Sequence, residues 1–380
     1  MQVISVIPVN PAACTVVRAR QVKRPTLRAL FLLLIASLTS ATAALAAPEA
    51  TESLIKARPL KVGFILPLSG SAASYGIASQ NGFEMARAEG CADAVQAVYE
   101  DDQYNAAKSV SAFKKLSEIN KVDMLVSLAS TPSNAVAPLA ARAGIPLFSW
   151  ANDPKVSRGR KFVVLSAQST EIEGREIVRE IKVRGYKSLA LVVSTGDYQL
   201  SVRQGVLDAL SGSIPVVANL EAAADDKDFR SILTKIRAAK PAAIGMCFHP
   251  GQFGIFAKQA REMKLDVPLF GCDTMEDPGE IAVSGGALRG AWYDTVAVEP
   301  DFEKQYLAKF GNNSVITGAA THYEVGKITC MLAKSGLSRE EFVPYLLKSG
   351  QRQGALGSFE VKSENDIQYF SIPVVIKKIE

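Results

Sequence analysis

The stretch KVGFILPLSGSAASYGIASQNGFEMA, residues 61–86, decides the fold of this chain. An apolar run, 61–66, is followed by a loop of small residues, and a helical pattern begins at Tyr75. Apolar runs that alternate with helices are typical of a parallel sheet covered on both faces. Ligands bind such sheets beyond the carboxyl ends of the strands, so the loop at 67–76 is a candidate site.

The loop at 67–76 has neither of the usual sequence motifs for nucleotide binding. It lacks both the Gly-x-Gly-x-x-Gly of dinucleotide-binding folds and the Gly-Lys-Ser/Thr of a phosphate-binding loop. Its small residues allow a ligand to approach the backbone, and Tyr75 lies at the start of the predicted helix. The alternative is a plain connection from strand to helix.

The first 46 residues have the pattern of a secretory signal peptide. Five arginines and lysines and no acidic residue accompany the apolar run ALFLLLIA at 29–36, and the sequence ALA follows at 44–46. The apolar run is shorter than the ~20 residues that span a bilayer, so a membrane anchor is the weaker alternative. We predict an exported protein that is cleaved after Ala46.

The predicted signal peptide accounts for the net charge of the chain. Without its five basic residues, 38 of the 43 remain, against 38 aspartates and glutamates. A mature chain without net charge gives no reason to expect nucleic acid as a partner. The remaining 334 of 380 residues exceed the usual ~100–200 residues of one domain, so we predict two lobes.

Two successive series of apolar runs and helical patterns support this prediction. The first series runs from Lys61 to Phe148 and the second from Phe162 to Phe270. Two strand-like pieces, at 357–361 and 367–377, end the chain. The alternation predicts an α/β protein with two doubly wound parallel sheets.

The cysteines left after export are Cys91, Cys247, Cys272 and Cys330. An oxidising compartment permits one or two disulfides, but the wide spacing favours small buried side chains instead. Without a Cys-x-x-Cys motif, and with only two histidines in the chain, no zinc site is predicted. We predict no metal and no cofactor.

Signals of catalysis are weak, and we predict no catalytic residue and no enzyme activity. The chain has no Gly-x-Ser-x-Gly motif. The Ser-x-x-Lys at 111–114 lies in a helical pattern typical of a protein surface. The acidic turn at 100–102 is compatible with a metal site or with paired carboxylates, but we interpret it as a solvated turn.

Polar side chains follow two strands of the first series. Ser130 and Thr131 precede a proline that favours the start of a helix. Hydroxyl groups and helix N-terminal amides together suit a carboxylate, although a hydroxyl that simply caps the helix is an equal alternative. The next strand ends in Trp150, Ala151 and Asn152, which offer an aromatic wall and a backbone turn.

The strands of the second series end in aromatic and acidic residues. Tyr198, Phe248 and His249 each follow a strand, and Asp273 follows the last one. A carboxylate at that position can bind a ligand ammonium while the aromatic rings pack on it. The alternative is an aspartate that caps a helix or a turn.

Five segments of the chain resemble one known family. VGFILPLSG at 62–70, YG at 75–76, VYEDDQ at 98–103, KVDMLV at 121–126 and AGIPL at 143–147 are similar to the periplasmic leucine/isoleucine/valine-binding proteins. These are type I solute-binding receptors of branched-chain amino acid ABC importers. The resemblance extends through essentially the whole mature chain.

The resemblance implies two α/β lobes joined by three crossover hinge strands, with a ligand bound in the cleft between them. We expect the N-terminal lobe to comprise 59–163 and 294–350. We expect the C-terminal lobe to comprise 164–293 and 351–380.

The resemblance also assigns site residues on both lobes. It implies that Asp273 receives the ligand amino group. The other implied ligand-binding residues are Tyr75, Ser130, Thr131, Ala151, Asn152 and Tyr198. We add Phe248 as a ligand-binding residue because it follows a strand of the second series.

The sequence departs from the family at the residues that would contact the ligand. Trp150 lies in a shortened turn, and Phe248-His249 stands where the family often has a tyrosine. Trp150 and His249 are therefore candidates for the pocket wall. Such a wall suits an aromatic or larger carboxylate as well as an aliphatic amino acid.

We therefore expect a monomeric periplasmic receptor that delivers an amino acid or another small carboxylate to the permease and ATPase subunits of an ABC importer. The alternatives are a receptor for an aromatic carboxylate, an amide or a urea-type ligand, and a ligand-sensing subunit of a signalling receptor.

Overall fold

The computed structural model describes residues 58–312 and 315–380. The predicted signal peptide, with its cleavage after Ala46, lies outside the described residues. The strands are β1 (Leu60–Leu66), β2 (Val95–Asp101), β3 (Met124–Leu128), β4 (Leu147–Trp150), β5 (Val163–Leu165), β6 (Leu189–Ser194), β7 (Val216–Ala222), β8 (Ala243–Cys247), β9 (Leu269–Gly271), β10 (Trp292–Val296), β11 (Arg352–Gly354), β12 (Gly357–Glu364), β13 (Ile367–Ser371) and β14 (Val374–Lys378). The α-helices are α1 (Ala73–Gly90), α2 (Ala106–Lys114), α3 (Ser130–Ala143), α4 (Thr170–Val183), α5 (Asp197–Leu210), α6 (Arg230–Ala239), α7 (Phe253–Glu262), α8 (Pro278–Ser284), α9 (Pro300–Phe310), α10 (Ile316–Ser335) and α11 (Phe342–Lys348).

The strands form two sheets, as predicted. The order of the first sheet is β11-β12-β13-β5-β4-β3-β1-β2, and its strands β1 to β5 are parallel. The order of the second sheet is β14-β10-β9-β8-β6-β7, and only its edge strand β14 is antiparallel. The carboxyl ends of the parallel strands therefore gather at one edge of each sheet.

Continuous burial explains why the central strands have apolar sequences. Every residue of β3 (MLVSL) and of β6 (LALVVS) is buried. Helices cover both faces of these strands, so no face of the strand needs polar side chains. The continuous apolar runs of the sequence predicted this arrangement.

The chain crosses between the two sheets three times, after β5, after β10 and after β13. The third crossing shows that one lobe limit was wrong. Residues 351–371 were expected in the second lobe, but β11, β12 and β13 belong to the first sheet and only β14 joins the second. Similarly, Asp294 was expected in the first lobe and lies in β10 of the second sheet. The other lobe limits stay a prediction.

A hairpin and a proline explain this difference. Asn365 and Asp366 both have positive φ, 50° and 60°, which suits a tight turn between antiparallel strands. The hairpin of β12 and β13 then adds to β5 in the first sheet. Pro373 separates β13 from β14, so the run at 367–377 forms two strands in different sheets instead of one.

The four cysteines form two disulfides, so the prediction of unpaired buried side chains was wrong. Cys91, which follows α1, is bonded to Cys330 of α10, with Cα atoms 5.3 Å apart. Cys247, at the end of β8, is bonded to Cys272, which follows β9, with Cα atoms 5.4 Å apart. Neighbouring elements of the fold bring these residues together across 239 and 25 positions of sequence.

Candidate functional site

A cavity of about 410 Å³ lies between the carboxyl ends of the two sets of parallel strands. Loops that follow β1, β2, β3 and β4 line one side of it, and loops that follow β6, β7, β8 and β9 line the other. Each of these strands thus contributes to the cavity at the position where open α/β sheets bind ligands.

The loop after β1 brings Tyr75 to the cavity, because Gly76 lets helix α1 start close to the strand. A Cβ atom added at Gly76 would lie 2.0 Å from the carbonyl oxygen of Pro67. The ring of Tyr75 lies 6.3 Å from that of Trp150, between ring centroids. Both side chains line the cavity on the first-lobe side.

The junction between β3 and α3 brings a helix N-terminus to the cavity. Ala129 has φ 69° and ψ 151° and precedes the helix, and no side chain caps it there. Ser130 lines the cavity beside it, and its Oγ accepts a hydrogen bond from the amide of Asp153 at 3.3 Å. Ala151 and Asn152 line the same side. The first-lobe side thus combines a hydroxyl, backbone groups and the partial positive charge of a helix N-terminus.

Asp273 lies on the second-lobe side, directly after β9. The hydroxyl of Tyr198 donates to its Oδ1 at 2.9 Å. Burial raises the pKa of Asp273, and the hydrogen bonds from Tyr198 and Thr274 oppose this shift. Burial and the nearby charge of Asp273 raise the pKa of Tyr198 well above its usual value, so the phenol stays a hydrogen-bond donor.

His249 lines the cavity after β8. Its Nε2 lies 3.3 Å from the carbonyl oxygen of Thr195, and its ring meets the ring of Tyr104 edge-on, with centroids 6.1 Å apart. Because Tyr104 belongs to the first lobe, this contact crosses the cleft. Burial lowers the pKa of His249, so the imidazole is neutral at pH 7 and serves as a wall.

Two of the expected ligand-binding residues lie outside the cavity lining. Phe248 is fully buried among Phe229, Phe253 and Phe256 in the core of the second lobe, because its ring packs against helix α7. The Thr131 hydroxyl accepts a hydrogen bond from the amide of Asp197 at 3.3 Å, which joins the two lobes.

Other residues line the cavity that the sequence interpretation missed. They are Ser71, Ala72, Tyr104, Leu128, Ala129, Gln199, Ala224, Asp225, Lys227, Pro250 and Thr274. The strand-end rule that found Tyr198 also applies to β2 and β7, which precede Tyr104 and Lys227. The acidic turn at 100–102 was interpreted as a solvated turn, and the end of β7 was not considered.

The described residues were also compared with the requirements of a membrane-spanning helix and of a metal site. In the described ranges 58–312 and 315–380, no helix is both long and apolar enough to cross a membrane. Within the same ranges, no three or more histidine, cysteine, aspartate or glutamate side chains are grouped as metal ligands.

Two lobes with three crossings and a cavity between them define a type I periplasmic binding protein. The family described as periplasmic binding protein matches residues 59–324. The match covers more than half of the chain, so the chain belongs to this family. A comparison with curated proteins finds no match.

Solved structures share the fold at low sequence identity. A leucine-binding protein LivK from Thermotoga maritima is 21% identical, with a TM-score of 0.77 over 84% of this chain and 95% of that one. LivJ from Streptococcus pneumoniae, solved with isoleucine, is 22% identical, with a TM-score of 0.71 over 84% and 99%. A solute-binding protein from R. palustris, solved with benzoate, is 21% identical, with a TM-score of 0.75 over 85% and 93%.

Proposed function

We propose that the chain is a periplasmic solute-binding receptor that captures an amino acid or a related small carboxylate and delivers it to an ABC importer. The polarity of the cavity carries this proposal. Among the described lining residues, the first-lobe side has a helix N-terminus and no charged side chain. The second-lobe side has the half-buried Asp273, together with the exposed Asp225 and Lys227, whose ammonium donates to the carbonyl of Gly251. A molecule with a carboxylate at one end and an ammonium at the other matches this polarity.

The first lobe would hold the ligand carboxylate through neutral groups. The hydroxyl of Ser130 accepts from a backbone amide, so it can donate its own proton to a ligand oxygen. The amides at the start of α3 and the backbone at Ala151 and Asn152 line the same side of the cavity. A helix N-terminus favours an anion without placing a full positive charge in the site.

The second lobe would hold the ligand ammonium through Asp273. The Tyr198 hydroxyl fixes one carboxylate oxygen, and an ionised carboxylate has further acceptor positions for an ammonium. Asp273 is half-buried, so this charge-assisted hydrogen bond would be worth more than one at the surface.

Closure of the lobes would bury the ligand and create the form that the importer recognises. Several contacts across the cleft support such a closed form. Asn134 donates to Asp153 at 2.8 Å and to Asp197 of the second lobe at 3.1 Å. We propose a periplasmic monomer, released by cleavage after Ala46, that binds its ligand without turnover and serves the permease and ATPase subunits of the importer.

An aromatic carboxylate is the second candidate ligand. The aromatic lining favours it, since Tyr75, Tyr104, Trp150 and Tyr198 all border the cavity. The R. palustris protein with the same fold was solved with benzoate. Such a ligand would use the carboxylate side of the site and place its ring against the aromatic wall.

Thermal unfolding of the ligand-stripped protein, residues 47–380, tests the proposal. The ligands are leucine, isoleucine, benzoate, acetamide and urea, applied to the wild type, to Asp273→Asn and to the matched control Asp228→Asn, whose side chain is exposed. A ligand at ~100 times its Kd adds about 2.7 kcal/mol of stability, which raises the Tm by several degrees.

The outcomes separate the candidates. A Tm increase with leucine or isoleucine that Asp273→Asn abolishes and Asp228→Asn retains supports an amino acid receptor. A Tm increase with benzoate alone, equal in all three proteins, supports the second candidate. If neither these ligands nor any amino acid with a charged side chain raises the Tm of the wild type, the proposed solute-binding function is wrong.

A further inference from the structure

A second, smaller cavity of about 30 Å³ lies next to the main one, at the three crossings between the lobes. Trp150, Asn152 and Asp273 line both cavities. Behind them, Glu173 of α4 and Asp294 of β10 complete the small cavity. Two more carboxyl groups therefore lie next to the residues that the two cavities share.

Several polar atoms around the small cavity are buried without a partner. Glu173 is 6% exposed and Asp294 is 4% exposed. The Oε2 atom of Glu173 and the Oδ1 atom of Asp294 accept no hydrogen bond, although Asn152 donates to the other oxygen of Glu173. Gln168 and Thr295, which also line the cavity, each have an unpartnered oxygen as well. Buried polar atoms are normally paired, so these acceptors point to a missing donor.

The small cavity lacks a positive charge of its own. None of its described lining residues is a lysine, an arginine or a histidine. His322 packs against Trp150 with ring centroids 5.7 Å apart, and burial lowers its pKa to about 4, so it is neutral. Burial and the neighbouring acidic groups raise the pKa values of Glu173 and Asp294. The site therefore lacks a cation to compensate its carboxyl groups.

We propose that the small cavity is a subsite for a second cationic nitrogen of the ligand, so that the receptor prefers a diamino carboxylate over an amino acid with a neutral side chain. The inference rests on the proposed function and deepens it. The α-ammonium would bind Asp273, and the side-chain ammonium would donate to Glu173 and Asp294.

The size and chemistry of the small cavity fit a primary ammonium. Its volume of about 30 Å³ exceeds the ~10–15 Å³ that a cavity needs to hold one water molecule, and an ammonium is of similar size. An ammonium has three donors, and the unpartnered oxygens of Glu173 and Asp294 supply acceptors. A metal ion fits less well, because the acidic groups among the described residues do not converge as metal ligands.

Pairs of amino acids that differ only in the terminal ammonium test the subsite. The charged members are L-diaminobutyrate, L-ornithine and L-lysine, and the uncharged partners are L-aminobutyrate, L-norvaline and L-norleucine. Calorimetric titration of the ligand-stripped protein measures Kd. We expect at least one charged member to bind the wild type about tenfold or more tightly than its partner.

Three variants attribute this preference to the small cavity. Glu173→Gln and Asp294→Asn should each reduce the preference about tenfold or more while changing the Kd of the uncharged partner less than about threefold. Glu180→Gln, on the same helix but paired with Arg184 at the surface, should leave the preference unchanged.

The experiment distinguishes an error in the subsite proposal from an error in the proposed function. If the uncharged members bind as tightly as the charged ones, or if both carboxyl variants keep the preference, the subsite is wrong and the amino acid receptor stands. If no ligand of either kind, nor benzoate, binds the wild type, the proposed function falls and the subsite falls with it. If a variant does not fold, the Kd values of the charged and uncharged amino acids for the wild type still test the subsite.

Discussion

The two sides of the ligand cavity differ in how they would recognise a ligand. The first-lobe side offers the hydroxyl of Ser130, backbone groups and aromatic rings, and none of its described lining residues is charged. The second-lobe side includes Asp225, Lys227 and Asp273. Neutral dipoles bind many carboxylates alike, whereas a partly buried charge rejects a ligand that lacks the opposite charge. Selectivity between ligands should therefore reside in the second lobe.

The largest expected effect is that of Asp273→Asn on a ligand with an ammonium group. The loss of a charge-assisted hydrogen bond should cost about 1.5–3 kcal/mol, or roughly 10- to 150-fold in Kd. Calorimetric titration with the tightest-binding amino acid measures this change, and Asp228→Asn is the control. An unchanged Kd in Asp273→Asn would remove Asp273 from the site.

The second expected effect is a pH dependence of stability that comes from the second-lobe side. Burial and the charge of Asp273 raise the pKa of Glu276 from 4.5 to about 7. The folded state disfavours ionised Glu276, so its contribution to stability is full below pH 4.5 and is lost as the pH rises through about 7.

Replacing Glu276 by Gln should flatten this pH dependence. Because the side chain of Glu276 is 23% exposed, we expect a difference of at most about 2 kcal/mol between pH 4 and pH 8. Urea unfolding of the ligand-free protein at a series of pH values measures it. The control is Glu262→Gln at the surface, and an equal slope in Glu276→Gln and the wild type would contradict the prediction.

A smaller effect is expected on the first-lobe side. The substitution Ser130→Ala removes one neutral hydrogen bond to the ligand carboxylate, which is worth about 1 kcal/mol, or roughly fivefold in Kd. Amino acids and benzoate should be affected alike, because both carry the carboxylate. A loss confined to one of these ligand classes would show that the two sides of the cavity are not independent.

The last prediction is a gain in stability at Ala129, which lies between β3 and α3. Ala129 has positive φ with extended ψ, a conformation that costs ~1–3 kcal/mol for residues other than glycine. Ala129→Gly should relieve this strain, and after the entropy cost of glycine the gain should be about 1 kcal/mol. Ala141→Gly inside α3 should instead lose about 1 kcal/mol. Chemical unfolding measures both.

The sequence predicted most of the fold and part of the site, because strand ends are visible in local patterns. Tyr75, Ser130, Tyr198 and Asp273 were found since each follows an apolar run, and all of them line the cavity. Such a pattern does not tell which face of the sheet a side chain takes at the end of a strand. Phe248 was therefore assigned to the site although it lies in the core.

Contacts between residues far apart in sequence explain the other differences between the predicted and the observed structure. The hairpin of β12 and β13 has the same local sequence character whichever sheet it joins, so its pairing with β5 of the first sheet was not predictable from the local pattern. The same holds for Cys91 and Cys330, whose elements meet only in the folded chain. The subsite at Glu173 and Asp294 also depends on the fold, because α4 and β10 are far apart in sequence.

The disulfide between Cys247 and Cys272 joins the ends of β8 and β9, two residues before His249 and one residue before Asp273. It therefore restricts the motion of two loops that would otherwise lose conformational freedom when a ligand binds. Part of the entropic cost of recognition is thus met during folding, before any ligand is present. In a protein produced without this covalent link, the same contacts would form with a weaker apparent affinity, and the oxidation state of the sample would influence every Kd measured for it.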